Sequence, residues 1–78
     1  MLRLKENIDV IDFLNTISGT CVGNVWFCTR QGDEINLRSE LSRYVFLTMC
    51  TQEDLLRMGS VRLDEPRDNE PLGRFLLS

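Results

Sequence analysis

The segment from Gln31 to Leu47, QGDEINLRSELSRYVFL, contains in order a turn, a strand and an amphipathic helix. Gly32 permits the positive φ that a tight hairpin turn needs. Ile35 and Leu37 alternate with a polar residue, which is typical of a half-buried strand. Ser39 then stands where a side-chain oxygen can accept a backbone N–H of the first helical turn. The segment therefore predicts a hairpin whose second strand leads directly into a capped helix.

The helix that begins after Ser39 is predicted to bury one face against the rest of the chain. Apolar and small residues recur along it at the spacing of a single helical face. We expect this buried seam to consist of Leu41, Tyr44, Val45 and Thr48, with Phe46 and Leu47 widening it.

The composition is that of one small ordered domain, with 42% hydrophobic and 27% charged residues in a chain of 78. The formal net charge is −3 and no basic stripe is present, so a nucleic-acid partner has no electrostatic support. No apolar run is long enough to cross a bilayer, and the N-terminus has no signal-peptide core. We therefore expect a cytosolic protein without a membrane or nucleic-acid partner.

Histidine is absent, and the three cysteines are Cys21, Cys28 and Cys50. Without imidazole the chain lacks the usual general base and the usual nitrogen ligand for metals. An odd number of cysteines without a CxxC pair fits reduced, buried thiols better than a disulfide framework or a metal site. No nucleophile stands beside a base, and the glycines fit no phosphate-loop spacing. We expect no enzymatic activity, no cofactor, no metal and no small-molecule substrate.

Hydrophobic periodicity predicts the other elements of the chain. We expect strands near Leu2–Leu4, Cys21–Arg30 and Val61–Leu63, a helix capped by Asn7 or Asp9 and ended by a left-handed Gly19, a helical piece from Gln52 to Met58, and a short last helix that contains Pro71, Leu72, Phe75, Leu76 and Leu77. The order β-α-β-β-α-β-α favours an α+β open-faced sandwich. In it, helices cover one face of a four-stranded, mainly antiparallel sheet, with the first and last strands side by side in its centre.

The segment Gly32 to Ser39, GDEINLRS, resembles the HPr family of small phosphocarrier proteins of bacterial sugar phosphotransferase systems. It parallels that family's glycine turn, its valine-asparagine strand, and the basic residue and serine that open its second helix. The segments Phe13–Ser18 and Val25–Cys28 lie at suitable distances upstream, so the resemblance covers roughly residues 1–48. It implies a single HPr-like domain over residues 1–78, with a helical insertion at about 51–59.

The chain departs from the HPr pattern where the phosphocarrier histidine would stand, because Glu6 to Asp9 occupy that place. Carboxylates and amides cannot perform reversible phospho-imidazole chemistry, so phosphocarrier activity is excluded. The family's regulatory serine has a counterpart in Ser39, but Glu40 follows where the family usually has an aliphatic docking residue. The catabolite-repression relative of HPr also lacks the histidine and keeps the serine. Similarity to it implies a regulatory module that a partner recognises through the second helix.

We therefore expect a non-catalytic HPr-like module that binds a protein partner or a second copy of itself. The surface residues expected to do so are Arg38, Ser39, Leu41, Ser42 and Arg43, joined by Trp26 or Phe27 if these point outward from the open sheet face. The two arginines can also hold an anion or a phosphopeptide. Two alternatives stay open: Ser39 is the target of an HPr-type serine kinase, or the chain is a small phage-like or toxin–antitoxin-type protein that is HPr-like only in architecture.

Overall fold

The computed structural model describes residues 2–51 and 58–77, in which helices pack on one side of short antiparallel strands. The strands and α-helices are β1 (Arg3–Leu4), α1 (Val10–Thr20), β2 (Val25–Cys28), β3 (Glu34–Asn36), α2 (Glu40–Met49), β4 (Ser60–Leu63), α3 (Asn69–Leu72) and β5 (Leu76–Leu77). The general α+β class is therefore confirmed. The predicted helical piece from Gln52 to Met58 lies almost wholly outside the described residues.

The strands form a three-stranded sheet in the order β3-β2-β4 and a two-stranded sheet of β1 and β5. All of these pairings are antiparallel. The two sheets meet at a single bridge, in which the N–H of Val61 donates to the carbonyl of Leu2 over 2.7 Å. A single four-stranded sheet is thus not seen among residues 2–51 and 58–77. The central strand of the three-stranded sheet is β2, because it pairs with both β3 and β4. The expectation that the first and last strands occupy the centre was therefore wrong, since β4 lies at an edge and β1 belongs to the other sheet.

The hairpin between β2 and β3 forms where the sequence predicts it. Gly32 has a φ of 96°, and its N–H donates to the carbonyl of Thr29 over 3.0 Å. The N–H of Thr29 in turn donates to the carbonyl of Asp33 over 2.8 Å. Strand β2 is shorter than the predicted strand Cys21–Arg30, because Cys21 to Asn24 form a loop that is held by two charged side chains.

Helix α1 begins after Asp9, one of the two predicted caps, since the N–H of Asp12 donates to Asp9 Oδ1 over 3.1 Å. The predicted stop at Gly19 is wrong, because Gly19 lies inside the helix and α1 continues to Thr20. The N–H of Cys21 donates to the carbonyl of Ile17 over 3.3 Å and makes the last helical backbone bond at this end. The hydroxyl of Thr20 also donates to the carbonyl of Thr16 over 2.6 Å.

Helix α2 turns a different face to the core than its sequence pattern predicts. Phe46 is fully buried, and its ring packs between those of Phe13 and Phe27, at centroid distances of 6.3 and 5.1 Å. The four residues that we expected to form the buried seam are instead exposed, namely Leu41, Tyr44, Val45 and Thr48. The seam prediction was wrong because α2 has apolar residues on more than one face, and contact with the aromatic rings of α1 and β2 selects the face that carries Phe46.

The loop between α1 and β2 is held by two charged side chains from distant parts of the chain. The carboxylate of Asp68 is buried and accepts hydrogen bonds from the N–H groups of Val22 and Gly23, each over 2.9 Å. From another direction, the guanidinium of Arg38 donates to the carbonyls of Cys21 and Gly23, over 2.5 and 3.2 Å. Four backbone groups of an irregular loop are thereby paired without secondary structure.

The end of the chain differs from the single last helix that we expected. A 3-10 turn (Pro66–Asp68), helix α3 and a second 3-10 turn (Gly73–Phe75) follow one another before β5. Leu76 of β5 is buried while Leu77 is exposed, which is the alternation of a strand. Within residues 2–51 and 58–77, no helix has the length and apolar character needed to cross a membrane.

Candidate interaction surface

Four large apolar side chains are exposed on the side of the molecule that α1 and α2 form. Leu41, Tyr44 and Val45 of α2 have exposures of 76%, 62% and 47%, and Ile11 of α1 has an exposure of 55%. The three α2 residues follow the i, i+3, i+4 spacing of one helical face. We call the four residues together the helix face. They supply most of the large, well-exposed hydrophobic side chains in the described part of the chain.

A groove of about 190 Å³ lies between α1 and α2 beside this surface. Its apolar lining comes from both helices, and one acidic and one basic side chain also contribute to it. The lining includes Ile11, Leu14 and Leu47, with Glu40, Arg43 and Tyr44. Tyr44 belongs both to the groove and to the helix face, so the two features form one continuous surface.

Arg43 connects the two helices that form the groove. Its guanidinium donates a hydrogen bond to the hydroxyl of Ser18 in α1, and the residue is half-buried. Ser42 is also half-buried, because it precedes Phe46 by one helical turn and so lies nearer to the core side of α2. Of the α2 residues expected to bind a partner, Leu41 is therefore the one that projects fully into solvent.

Arg38 and Ser39 precede α2 and do not belong to the helix face. One terminal nitrogen of the exposed Arg38 guanidinium, Nη1, donates to the loop carbonyls described above, so this side chain is held against that loop. Ser39 is exposed and occupies the N-cap position, but its hydroxyl makes no cap hydrogen bond within the described residues. Its backbone N–H donates to the carbonyl of Asn36 over 3.0 Å. The predicted side-chain cap was wrong, and the Ser39 hydroxyl faces solvent.

Trp26 lies on the opposite face of the sheet from the helices, whereas Phe27 points inward and is fully buried. The indole Nε1 of Trp26 donates to Asp64 Oδ2 over 3.0 Å, and the Arg62 guanidinium lies 5.2 Å from the ring centroid. Arg62 also pairs with Glu34 and Asp64, each over 3.0 Å. The open face of the sheet around Trp26 is thus a charged network rather than an apolar patch, and Trp26 does not share a surface with α2.

Trp26 is the single tryptophan of the chain, so its fluorescence reports the bond to Asp64. That bond, together with Asn24 and Arg62, lowers the pKa of Asp64 below its ordinary value of 3.8. Because the pKa of Asp64 is lower in the folded than in the unfolded protein, the ionised carboxylate stabilises the fold at pH values above the ordinary pKa. This stabilisation is lost as the pH falls through the folded-state pKa. We expect a fluorescence change centred below pH 3.8 while circular dichroism still shows folded protein. Asp64→Asn should abolish the change, and a midpoint above the ordinary value would contradict the assignment.

The three cysteines are free thiols. Burial raises the pKa of Cys21, and the carboxylate of Asp68 raises it further, against smaller opposing effects of Thr20 and Arg38. Burial also raises the pKa of Cys50. A raised pKa lowers the thiolate fraction and hence the reactivity of a thiol. Among the described residues, no group of three or more cysteine or carboxylate side chains is placed to hold a metal ion.

Sequence reasoning assigned Leu41, Tyr44 and Val45 to the buried seam, named Leu41 also as a partner-binding candidate, and did not identify the groove. The signal for the alternative orientation is present in the sequence, because Ser42, Phe46, Met49 and Cys50 also follow helical spacing. Both faces of α2 therefore match an amphipathic pattern. Comparison of the chain with known protein families, with characterised proteins and with solved structures finds no match.

Proposed function

We propose that the protein is a non-catalytic interaction module that binds another protein chain through the helix face. The observation that carries the proposal is the exposure of Leu41, Tyr44 and Val45 on a single helix whose one fully buried residue is Phe46. Single exposed apolar residues are common on soluble proteins, but clustered ones mark interaction surfaces. The HPr-like character of the segment Gly32–Ser39 supports the same proposal, since that resemblance implies recognition through the second helix.

The chemistry of the surface fits a partner that offers apolar side chains with polar groups around them. Ile11, Leu14 and Leu47 supply an apolar lining, while Glu40 and Arg43 place one charge of each sign in the groove. Tyr44 presents a rigid ring and a hydroxyl that can donate or accept a hydrogen bond. Tyrosine is enriched among the residues that dominate binding energy at protein interfaces.

The test of this function is cross-linking of the chain in cells followed by affinity capture. Leu41→Glu places a charge at the most exposed position of the helix face, and Leu77→Glu makes the same change at an exposed leucine of β5. Because both side chains are largely in solvent, neither change should unfold the protein. We expect Leu41→Glu to lose the captured partner and Leu77→Glu to keep it. Equal capture by wild type and Leu41→Glu would refute the proposed site.

A second candidate function is regulation by phosphorylation of Ser39, for which the observation is the exposed hydroxyl that does not cap α2. A phosphate at this helix N-terminus would meet free N–H groups and a favourable dipole, whereas the carboxylate of Glu40 would oppose it. The test is mass spectrometry after incubation with ATP and an HPr-type serine kinase. Wild type should gain one phosphate and Ser39→Ala none, and an unchanged wild-type mass would refute this candidate.

A further inference from the structure

We infer that the partner of the helix face includes a second copy of this chain, bound as a weak two-fold symmetric dimer. This inference rests on the proposed function, because it uses the same surface and names its occupant. In a two-fold interface the same patch of each copy contacts the other, so the patch must be complementary to itself. Two features of the helix face and the adjoining groove, shape and charge, meet this requirement, and a third, area, sets the strength of the dimer.

The first feature is shape, because the surface contains both a projection and a recess of matching size. Leu41 and Val45 project from α2, and Leu41 is 76% exposed. The groove on the α1 side of Tyr44 has a volume of about 190 Å³, comparable to that of one large apolar side chain. In a dimer whose two-fold axis passes between these projecting side chains and the groove, the projecting side chain of each copy enters the groove of the other copy. One set of residues thus makes the contact twice.

The second feature is charge, since the surface is close to neutral although the chain carries a formal net charge of −3. Glu40 and Arg43 are the only charged residues of α2, and they have opposite signs. Asp12, the only charged residue of α1, is paired with Arg74 over 2.9 Å. Like charges that face one another oppose association. This surface therefore meets its own copy without the repulsion that the net charge of the chain would otherwise cause.

The third feature is area, which sets the expected strength of the dimer. The helix face has four large exposed side chains, far fewer than the roughly 20–30 residues that each partner contributes to a standard stable interface. Interfaces of this smaller size belong to weak and transient complexes. We therefore expect a dissociation constant of roughly 100 μM, so that the chain is monomeric at low micromolar concentration and dimeric near millimolar concentration.

The experiment is sedimentation equilibrium over concentrations from about 5 μM to 1 mM, a range that brackets the expected dissociation constant. The average mass of the wild type should rise from 9.1 kDa towards twice that value. Leu41→Glu and Val45→Glu should remain monomeric throughout the range, and Leu77→Glu should behave as the wild type. Circular dichroism of each variant establishes that it is folded, and two independent variants on the face guard against the failure of one.

The possible outcomes separate this inference from the proposed function. A wild type that stays monomeric at 1 mM overturns the dimer, while capture that depends on Leu41 in the cross-linking experiment would leave the proposed function intact. A dimer that is unaffected by both Leu41→Glu and Val45→Glu would overturn the inference, because it would form through another surface. If Leu41→Glu also leaves capture in the cross-linking experiment unchanged, both the dimer and the proposed function are refuted.

Discussion

Replacement of Phe46 by alanine is expected to lower the free energy of unfolding by about 3–5 kcal/mol. The ring is fully buried and contacts Phe13 on α1 and Phe27 on β2, so its removal opens a cavity where helix layer and sheet meet. The total stability of a domain of this size is of similar magnitude. Urea unfolding followed by circular dichroism should therefore find Phe46→Ala largely unfolded without denaturant, and Phe46→Leu folded but less stable than wild type.

Tyr44→Ala is the matched control, because it removes an aromatic ring from the same helix two residues away. The Tyr44 side chain is 62% exposed, so its loss should change the free energy of unfolding by no more than about 0.5 kcal/mol. The opposite ranking, with Tyr44→Ala the more damaging change, would mean that α2 buries the face that its sequence pattern first indicated. Comparison of Phe46→Ala with Tyr44→Ala thus tests which face of α2 is buried, and therefore whether the helix face is exposed.

Replacement of Asp68 by alanine is expected to lower the free energy of unfolding by about 3 kcal/mol. Both carboxylate oxygens accept a backbone N–H, from Val22 and from Gly23, and hydrogen bonds to a charged acceptor are stronger than neutral ones. The substitution would leave both N–H groups without this partner, and the N–H of Gly23 lies in a tightly packed place. A Cβ on Gly23 would lie 2.7 Å from the Cβ of Glu65, which shows how closely the two segments approach.

Hydrogen exchange provides the local measurement for Asp68. The amides of Val22 and Gly23 should exchange much faster in Asp68→Ala than in wild type, beyond the change seen for the helical amides of α1. Asp68→Asn should also be destabilised, because one of its two terminal atoms is a donor and cannot accept a backbone N–H. Glu70→Ala, which removes an exposed carboxylate from the neighbouring turn, should have little effect. Equal stability of Asp68→Ala and Glu70→Ala would contradict the assigned role.

The features that depend on neighbouring residues could be predicted from the sequence. Gly32 specified the hairpin turn because few residues tolerate its positive φ. The start of α1 was predicted to within two caps, Asn7 and Asp9, and Asp9 is the one whose carboxylate accepts an N–H three residues away. The general α+β class also followed from the local alternation of periodicities. The sequence could not predict that Asp68 holds the loop from Cys21 to Asn24, since the contact joins residues 46 and 45 positions apart and nothing local distinguishes this carboxylate from its acidic neighbours.

The orientation of α2, and hence the candidate interaction surface, depends on packing against distant parts of the chain. Along this helix the set of Leu41, Tyr44 and Val45 and the set that contains Phe46 both have the periodicity of a buried face. The helix propensity of these residues is the same whichever face of α2 is buried, so the free energy of packing decides between the two orientations. The rings of Phe13 and Phe27 form a site that Phe46 fills. Once that contact is made, the rotation of a rigid helix is set and the other apolar residues must face solvent.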